Sequence, residues 1–166
     1  MESALLAMSS GVILSIRACV VLGEANSNVR LIITEKEERN NMILVGGPGT
    51  NTLTQEINEF LPVRFNMMPS EHGFLLGGLV SEKTRKVYTA DTVGVIAKIA
   101  NPWNKEKRII VLAGNKAVGT KACVLALAKF WKQVLKNFTE DERFATVIQG
   151  FDLDGDGKVD SIEVLE

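Results

Sequence analysis

Two short apolar runs, each followed at once by a glycine-rich loop and then by a helix signal, constrain the fold of this chain most. The first run is Met42–Val45 with the loop Gly46–Asn51, and the second is Arg108–Ala113 with the loop Gly114–Thr120. A continuous apolar run of this length is typical of a strand buried on both faces, as in the parallel part of a sheet. The two strand–glycine loop–helix units therefore predict an α/β fold.

A helix is predicted after each loop. Thr50 or Asn51 can cap a helix over Thr52–Phe60, whose apolar residues share one face. The longest helix is expected at about Thr120–Asn137, where apolar residues recur at spacings of three and four. Lysines occupy the opposite side of this helix, and a basic face of this kind is expected to be solvated.

The remaining strands are predicted from apolar, β-branched runs bounded by turn signals. Gly73–Val80 and Lys86–Ala90 flank the polar segment Ser81–Arg85, which has the length of a hairpin turn. Val93–Ile99 reads as another strand, and Ala145–Phe151 reads as the final one. An antiparallel middle between two strand–loop–helix units favours a mixed sheet with helices on both faces. The length fits a single domain over residues 1–166.

The N-terminal segment Ala4–Gly23 is apolar and about as long as a membrane span. Arg17 inside it would be costly in lipid, and Glu2 stands where a signal peptide needs basic residues. We therefore expect a helix over Glu2–Met8 and a buried strand near Ile16–Leu22, followed by a strand at residues 29–34. A signal peptide or a membrane span is the alternative for this segment.

Composition excludes several classes of function. The formal net charge is −1, so no strong field is available to hold nucleic acid. Cys19 and Cys123 both lie in apolar runs, which is typical of buried free thiols. His72 is the single histidine, and no G-x-S-x-G or H-E-x-x-H motif accompanies it. We expect no catalytic residues.

The segment Asp152–Glu163 matches a calcium-binding loop of the EF-hand type. Calcium prefers six to eight oxygen ligands, and this loop type supplies them from defined positions. The side-chain ligands at positions one, three, five, nine and twelve are Asp152, Asp154, Asp156, Asp160 and Glu163. The main-chain carbonyl at position seven belongs to Lys158. Gly157 at position six can adopt the positive φ that the turn needs, and Val159 at position eight is expected to point inward. The alternative is a solvated acidic turn.

The surroundings of this loop differ from those of a standard EF-hand. The entering segment reads as a strand, three residues follow Glu163, and no second loop is present to pair with it. The bound Ca²⁺ is therefore expected to be structural, since a sensor opens a groove between paired helices.

The two glycine loops are candidates for binding a small anionic ligand. If their strands are parallel neighbours, both loops lie at the carboxyl edge of the sheet, where α/β folds bind ligands. Free amides at helix N-termini would favour an anion. The candidate ligand-binding residues are Gly46, Gly47, Gly49, Asn51, Gly114, Asn115, Gly119 and Thr120. Lys121 comes one position too late for a P-loop, so ordinary nucleoside triphosphate binding is rejected. The alternative is tight packing between strand and helix.

Several short motifs in order resemble archaeal S-layer protein domains. They are the segments Ile43–Asn51, Tyr88–Gly94, Asn101–Asn104, Val111–Gly114 and Gly150–Glu163, so that the resemblance spans about residues 29–166. The resemblance implies a structural module of the cell surface that self-associates or joins a larger assembly, and it brings no catalytic residues. A cytoplasmic location stays open because the sequence shows no clear signal peptide.

The sequence thus favours a calcium-stabilised, non-enzymatic structural module. The alternative is a protein, binding or enzymatic, that acts on a small anionic or nucleotide-like ligand at the glycine loops.

Overall fold

The computed structural model describes residues 19–22, 39–136, 138 and 143–166. Its strands are β1 (Cys19–Leu22), β2 (Met42–Val45), β3 (Val63–Ser70), β4 (Gly73–Ser81), β5 (Val87–Tyr88), β6 (Val93–Asn101), β7 (Asn104–Gly114), β8 (Phe144–Phe151) and β9 (Ser161–Val164). Its helices are α1 (Thr52–Glu56), α2 (Ala117–Lys129) and α3 (Trp131–Val134), with a 3-10 turn at Asn58–Phe60. The helix predicted at residues 2–8 and the strand predicted at residues 29–34 lie outside the described residues.

The large sheet is mixed, as predicted. The six strands that the described residues contribute to it run in the order β1-β2-β7-β6-β8-β9. β1, β2 and β7 are parallel neighbours, whereas β7, β6, β8 and β9 pair antiparallel. Leu44 lies opposite Val111 in the parallel part, so the two apolar runs that predicted buried strands are adjacent.

A second sheet of three antiparallel strands covers one face of the large sheet. The predicted hairpin around residues 81–85 is confirmed as β4 and β5, which pair through Val80 and Val87. β3, which was not predicted, completes this small sheet by pairing with β4. Val63 and Phe65 of β3 are buried whereas Arg64 is exposed, which is the alternation of a half-buried strand.

The long helix α2 covers the opposite face and contacts β6, β7 and β8. The large sheet therefore separates two apolar clusters. Val95 and Val111 of the large sheet face the small sheet. Ile96 and Leu112 face the other way and pack in one cluster with Cys123 and Leu127 of α2. Burial from both sides explains the continuous apolar runs of β6 and β7.

The structure does not show the predicted arrangement of helices on both faces of the large sheet. Strands of the small sheet cover most of the face opposite α2. The helix predicted at Thr52–Phe60 is shortened to α1 and the 3-10 turn. Asn58 interrupts it, since its side chain bonds to the backbone of Phe65 in β3. The long helix also ends earlier than predicted, at Lys129, and α3 follows. In the part of the chain that the structure describes, no helix combines the length and apolarity of a membrane span.

Candidate functional site

The acidic loop connects β8 to β9 as the tip of an antiparallel hairpin. Phe151 lies opposite Ser161, and the N–H of Asp160 donates to the Phe151 carbonyl at 2.9 Å, which closes the loop. The predicted entering strand is thus confirmed. A strand, β9, leaves the loop where a standard EF-hand has a helix.

Backbone amides hold the first aspartate of the loop in place. Asp152 Oδ1 accepts from the N–H of Gly155 at 2.7 Å, and Oδ2 accepts from the N–H of Gly157 at 2.8 Å. The hydrogen bond from Gly157, followed by that from Gly155, keeps the pKa of Asp152 below its ordinary value despite an opposing contribution from desolvation. Gly155 and Gly157 have φ values of 80° and 83°, so the positive φ expected at Gly157 is present.

Three of the predicted ligand residues come together. The carboxylates of Asp152, Asp154 and Asp156 place one oxygen each within 4.8 Å of one another, and all three residues are exposed. Among the described residues, Asp160 and Glu163 do not belong to this group. Asp160 instead accepts from the N–H of Leu153 at 3.0 Å, and Glu163 lies in β9 opposite Gln149.

The rest of the loop combines a local ion pair with an apolar anchor. Asp156 accepts from the backbone N–H of Lys158 and also pairs with its ammonium group. Val159 is half-buried against the cluster on the α2 side and packs beside Gly150, so its predicted inward direction is confirmed. The loop is therefore fastened to the core at one position and solvated elsewhere.

The two glycine loops lie side by side at the carboxyl edge of the parallel strands, as predicted. The N–H of Gly46 donates to the carbonyl of Leu112 at 3.0 Å, and a Cβ on Gly47 would come 3.0 Å from the carbonyl oxygen of Gly114. In the described part of the chain, no atom lies within 4 Å of the position that a Cβ on Gly49 would occupy. Small residues therefore allow the two backbones to approach each other here.

Asn51 has the capping role that its position predicted. Its Oδ1 accepts from the N–H groups of Leu53 and Thr54, and its Nδ2 donates to the carbonyl of Val45 at 3.2 Å. The side chain is buried and ties α1 to the end of β2.

The second loop is filled by its own backbone. A Cβ on Gly114 would lie 2.3 Å from the amide nitrogen of Thr120, whose hydroxyl accepts from the Gly114 N–H at 2.9 Å. Asn115 Nδ2 donates to the carbonyls of Tyr88 and Ala90, both at 2.9 Å, which joins the loop to the small sheet. Among the residues that the structure describes, none donates a hydrogen bond to the buried Oδ1 of Asn115. Close packing of backbone segments therefore explains why glycine occupies positions 114 and 119.

His72 and Cys123 belong to different layers of the fold, the small sheet and α2. His72 is exposed in the turn between β3 and β4. Cys123 is fully buried in α2, where desolvation raises the pKa of its thiol well above the ordinary value. The side chain of Cys19 lies outside the described part of the structure.

Sequence reasoning missed a polar cluster around Glu166. Its carboxylate accepts from the hydroxyls of Ser81 at 2.6 Å, Thr84 at 2.8 Å and Tyr88 at 2.9 Å. Desolvation opposes the charged form, but these three hydrogen bonds prevail, and the pKa of Glu166 lies below its ordinary value. The hydroxyl residues precede Glu166 by 78–85 positions, so no local pattern could have identified the cluster.

Comparison with known proteins connects this fold to a family. The model of the outer domain of the S-layer like family matches residues 20–131, which include both glycine loops and exclude the acidic loop. An uncharacterised protein of Methanocaldococcus jannaschii is 31% identical over 84 residues, or 51% of this chain and 15% of that protein. The chain thus spans a small part of that relative. No solved structure matches it significantly. Because the family match extends over more than half of the chain, this protein belongs to the S-layer-like family.

Proposed function

We propose that this chain is a non-enzymatic structural module whose final hairpin is stabilised by calcium and which takes part in a surface assembly. Membership of the S-layer-like family supports the structural role. The cluster of Asp152, Asp154 and Asp156 at the tip of the β8–β9 hairpin carries the proposal for calcium.

The donor set of the loop suits calcium. Carboxylates are hard oxygen ligands, and three of them within 4.8 Å repel one another unless a cation neutralises them. The EF-hand pattern assigns further ligands to Asp160, Glu163 and the carbonyl of Lys158. Calcium would supply positive charge at the hairpin tip, and the aspartate carboxylates would bind it. Backbone amides already hold these carboxylates in place through hydrogen bonds.

Calcium binding would stabilise the end of the sheet. β9 is a four-residue strand at the edge of the large sheet, held by β8 on one side. Because a ligand that binds only the folded state stabilises it by mass action, a hundredfold excess over Kd contributes about 2.7 kcal/mol. A single unpaired loop is expected to bind with a Kd on the order of 10⁻⁵ to 10⁻³ M.

Calorimetry with saturating calcium and with a chelator tests the proposal. Calcium is expected to raise the melting temperature by roughly 5–10 °C. Asp152→Ala and Glu163→Gln should remove this gain. Glu71→Gln, which neutralises an exposed carboxylate in the β3–β4 turn, is the matched control and should keep it. Identical melting curves with calcium and chelator would reject the calcium site.

The alternative function is binding of a small anion at the two glycine loops. The positions of the loops at the carboxyl edge favour it, but the backbone groups that crowd Gly114 and Gly119 favour packing. Titration with inorganic phosphate and with nucleotides, followed by amide chemical shifts, separates the two roles. Shifts confined to residues 46–51 and 114–120 would support the anion site.

A further inference from the structure

The residues that follow the acidic loop connect it to the small sheet. Ile162 of β9 packs on the α2 side of the large sheet. Beyond β9 the register changes, because the Val147 carbonyl accepts from the Leu165 N–H at 2.8 Å while the Val147 N–H donates to the main-chain oxygen of Glu166 at 3.1 Å. Two residues thus face Val147, as in a β-bulge. Ile162 and Val164 both pack on the α2 side, so ordinary alternation places Leu165 in the cluster on the small-sheet side. The extra residue lets the next side chain, Glu166, lie on that side as well.

Glu166 reaches the small sheet directly. Ser81 at the end of β4, Thr84 in the following turn and Tyr88 in β5 all donate to its carboxylate. Hydrogen bonds to an ionised group are stronger than neutral ones. The Ser81 hydroxyl also accepts from the N–H of Thr84 at 3.1 Å, so the carboxylate and the β4–β5 turn form one network.

We propose that Glu166 is a latch through which calcium in the acidic loop stabilises the small sheet. The inference rests on the proposed calcium site. An ordered loop fixes the pairing of β9 with β8 and so keeps Glu166 in contact with its three hydroxyl donors. When the loop opens, a four-residue edge strand is readily lost, and the buried Ser81 loses its acceptor.

Thermodynamic linkage makes the coupling between calcium binding and the Glu166 contact reciprocal. If calcium strengthens the contact of Glu166 with the small sheet, then breaking that contact must weaken calcium binding by the same factor. The change in affinity caused by Glu166→Gln therefore measures the coupling, although Glu166 lies outside the set of proposed ligands.

Hydrogen exchange combined with calcium titration of the full chain tests the latch. The amides of Ser81 and Arg85 report on it, because they bond to the carbonyls of Lys86 and Ser81 within the β4–β5 turn. Calcium is expected to slow their exchange in the wild type and in the control Glu71→Gln. Glu166→Gln should still bind calcium, about fivefold more weakly, without slowing exchange at these amides.

The outcomes separate the latch from the calcium site. Calcium binding with no change at Ser81 and Arg85, or with the same change in Glu166→Gln, would overturn the latch and leave the calcium site standing. Absence of calcium binding in the wild type would overturn both. Tyr88→Phe, which removes one donor and keeps the ring, provides a second variant. It should lessen the protection that calcium gives, and full protection in it would also count against the latch.

Discussion

The carbonyl oxygen of Val93 lies 2.2 Å from the position that a Cβ on Gly119 would occupy. No real Cβ contact is this short, and the neighbouring atom is backbone that belongs to β6. The first turn of α2 therefore approaches the large sheet more closely than any residue with a side chain permits. Glycine at this position is required by packing between helix and strand, without any ligand.

Gly119→Ala is expected to lower the free energy of unfolding by about 1–3 kcal/mol, because overpacking forces the helix away from the sheet. Helix propensity alone would predict stabilisation by about 1 kcal/mol, so the sign of the change decides between the two effects. Gly49→Ala, at an exposed position with open space, is the control and should be nearly neutral. Urea unfolding of both variants measures the difference, and a stabilised Gly119→Ala would contradict the packing explanation.

Asn58→Ala is expected to destabilise the fold by about 2–4 kcal/mol, because it leaves two buried backbone groups unsatisfied. Asn58 Nδ2 donates to the Phe65 carbonyl at 2.9 Å, and its Oδ1 accepts from the Phe65 N–H at 2.8 Å, as a neighbouring strand would. Asn66→Ala removes an exposed asparagine of β3 and should cost less than about 1 kcal/mol. Equal losses in the two variants, measured by chemical denaturation, would show that the bonds to Phe65 contribute little.

Gly157→Ala is expected to cost about 1–2 kcal/mol, because φ at this position is 83° and a Cβ is strained in that region. No atom of the described residues lies within 4 Å of the added Cβ, so a clash with them does not contribute. Gly157→Asn is the matched variant and should be milder, since asparagine tolerates positive φ. Melting temperatures measured in the presence of a chelator isolate the backbone effect, and equal stability of Gly157→Ala and wild type would refute it.

The stabilising effect of Glu166 should depend on pH. The pKa of this group is lower in the folded state than its ordinary value of 4.5, because the hydrogen bonds from Ser81, Thr84 and Tyr88 outweigh desolvation and the nearby charge of Lys83 adds to them. Its contribution is therefore fully present above pH 4.5 and is lost as the pH falls through the lower folded-state pKa.

The free energy of unfolding of wild type and of Glu166→Gln, measured by urea denaturation from neutral to acidic pH, should consequently converge at low pH. Tyr88 remains a donor throughout this range, since desolvation and the hydrogen bond to Glu166 raise its pKa. A constant difference between the two proteins across the range would mean that the charge of Glu166 does not contribute.

Local patterns determined the parallel part of the sheet and both glycine loops. Met42–Val45 and residues 109–113 are apolar throughout because both faces of the sheet are covered there. This signal does not depend on which layer covers each face. The adjacency of the loops follows from parallel pairing. The turn of the acidic loop was likewise predictable, since Gly157 and the aspartate spacing act within a few residues; calcium binding there stays a prediction.

Only the tertiary structure decided which layer covers the face opposite α2 and where Glu166 lies. β3 alternates buried and exposed residues over its first positions, but Met68 and Pro69 are exposed and obscure the pattern. The three donors to Glu166 come from the small sheet, at least 78 positions earlier in the chain. Such contacts arise when two sheets pack together, and a hydroxyl or carboxylate in the sequence carries no local sign of its distant partner.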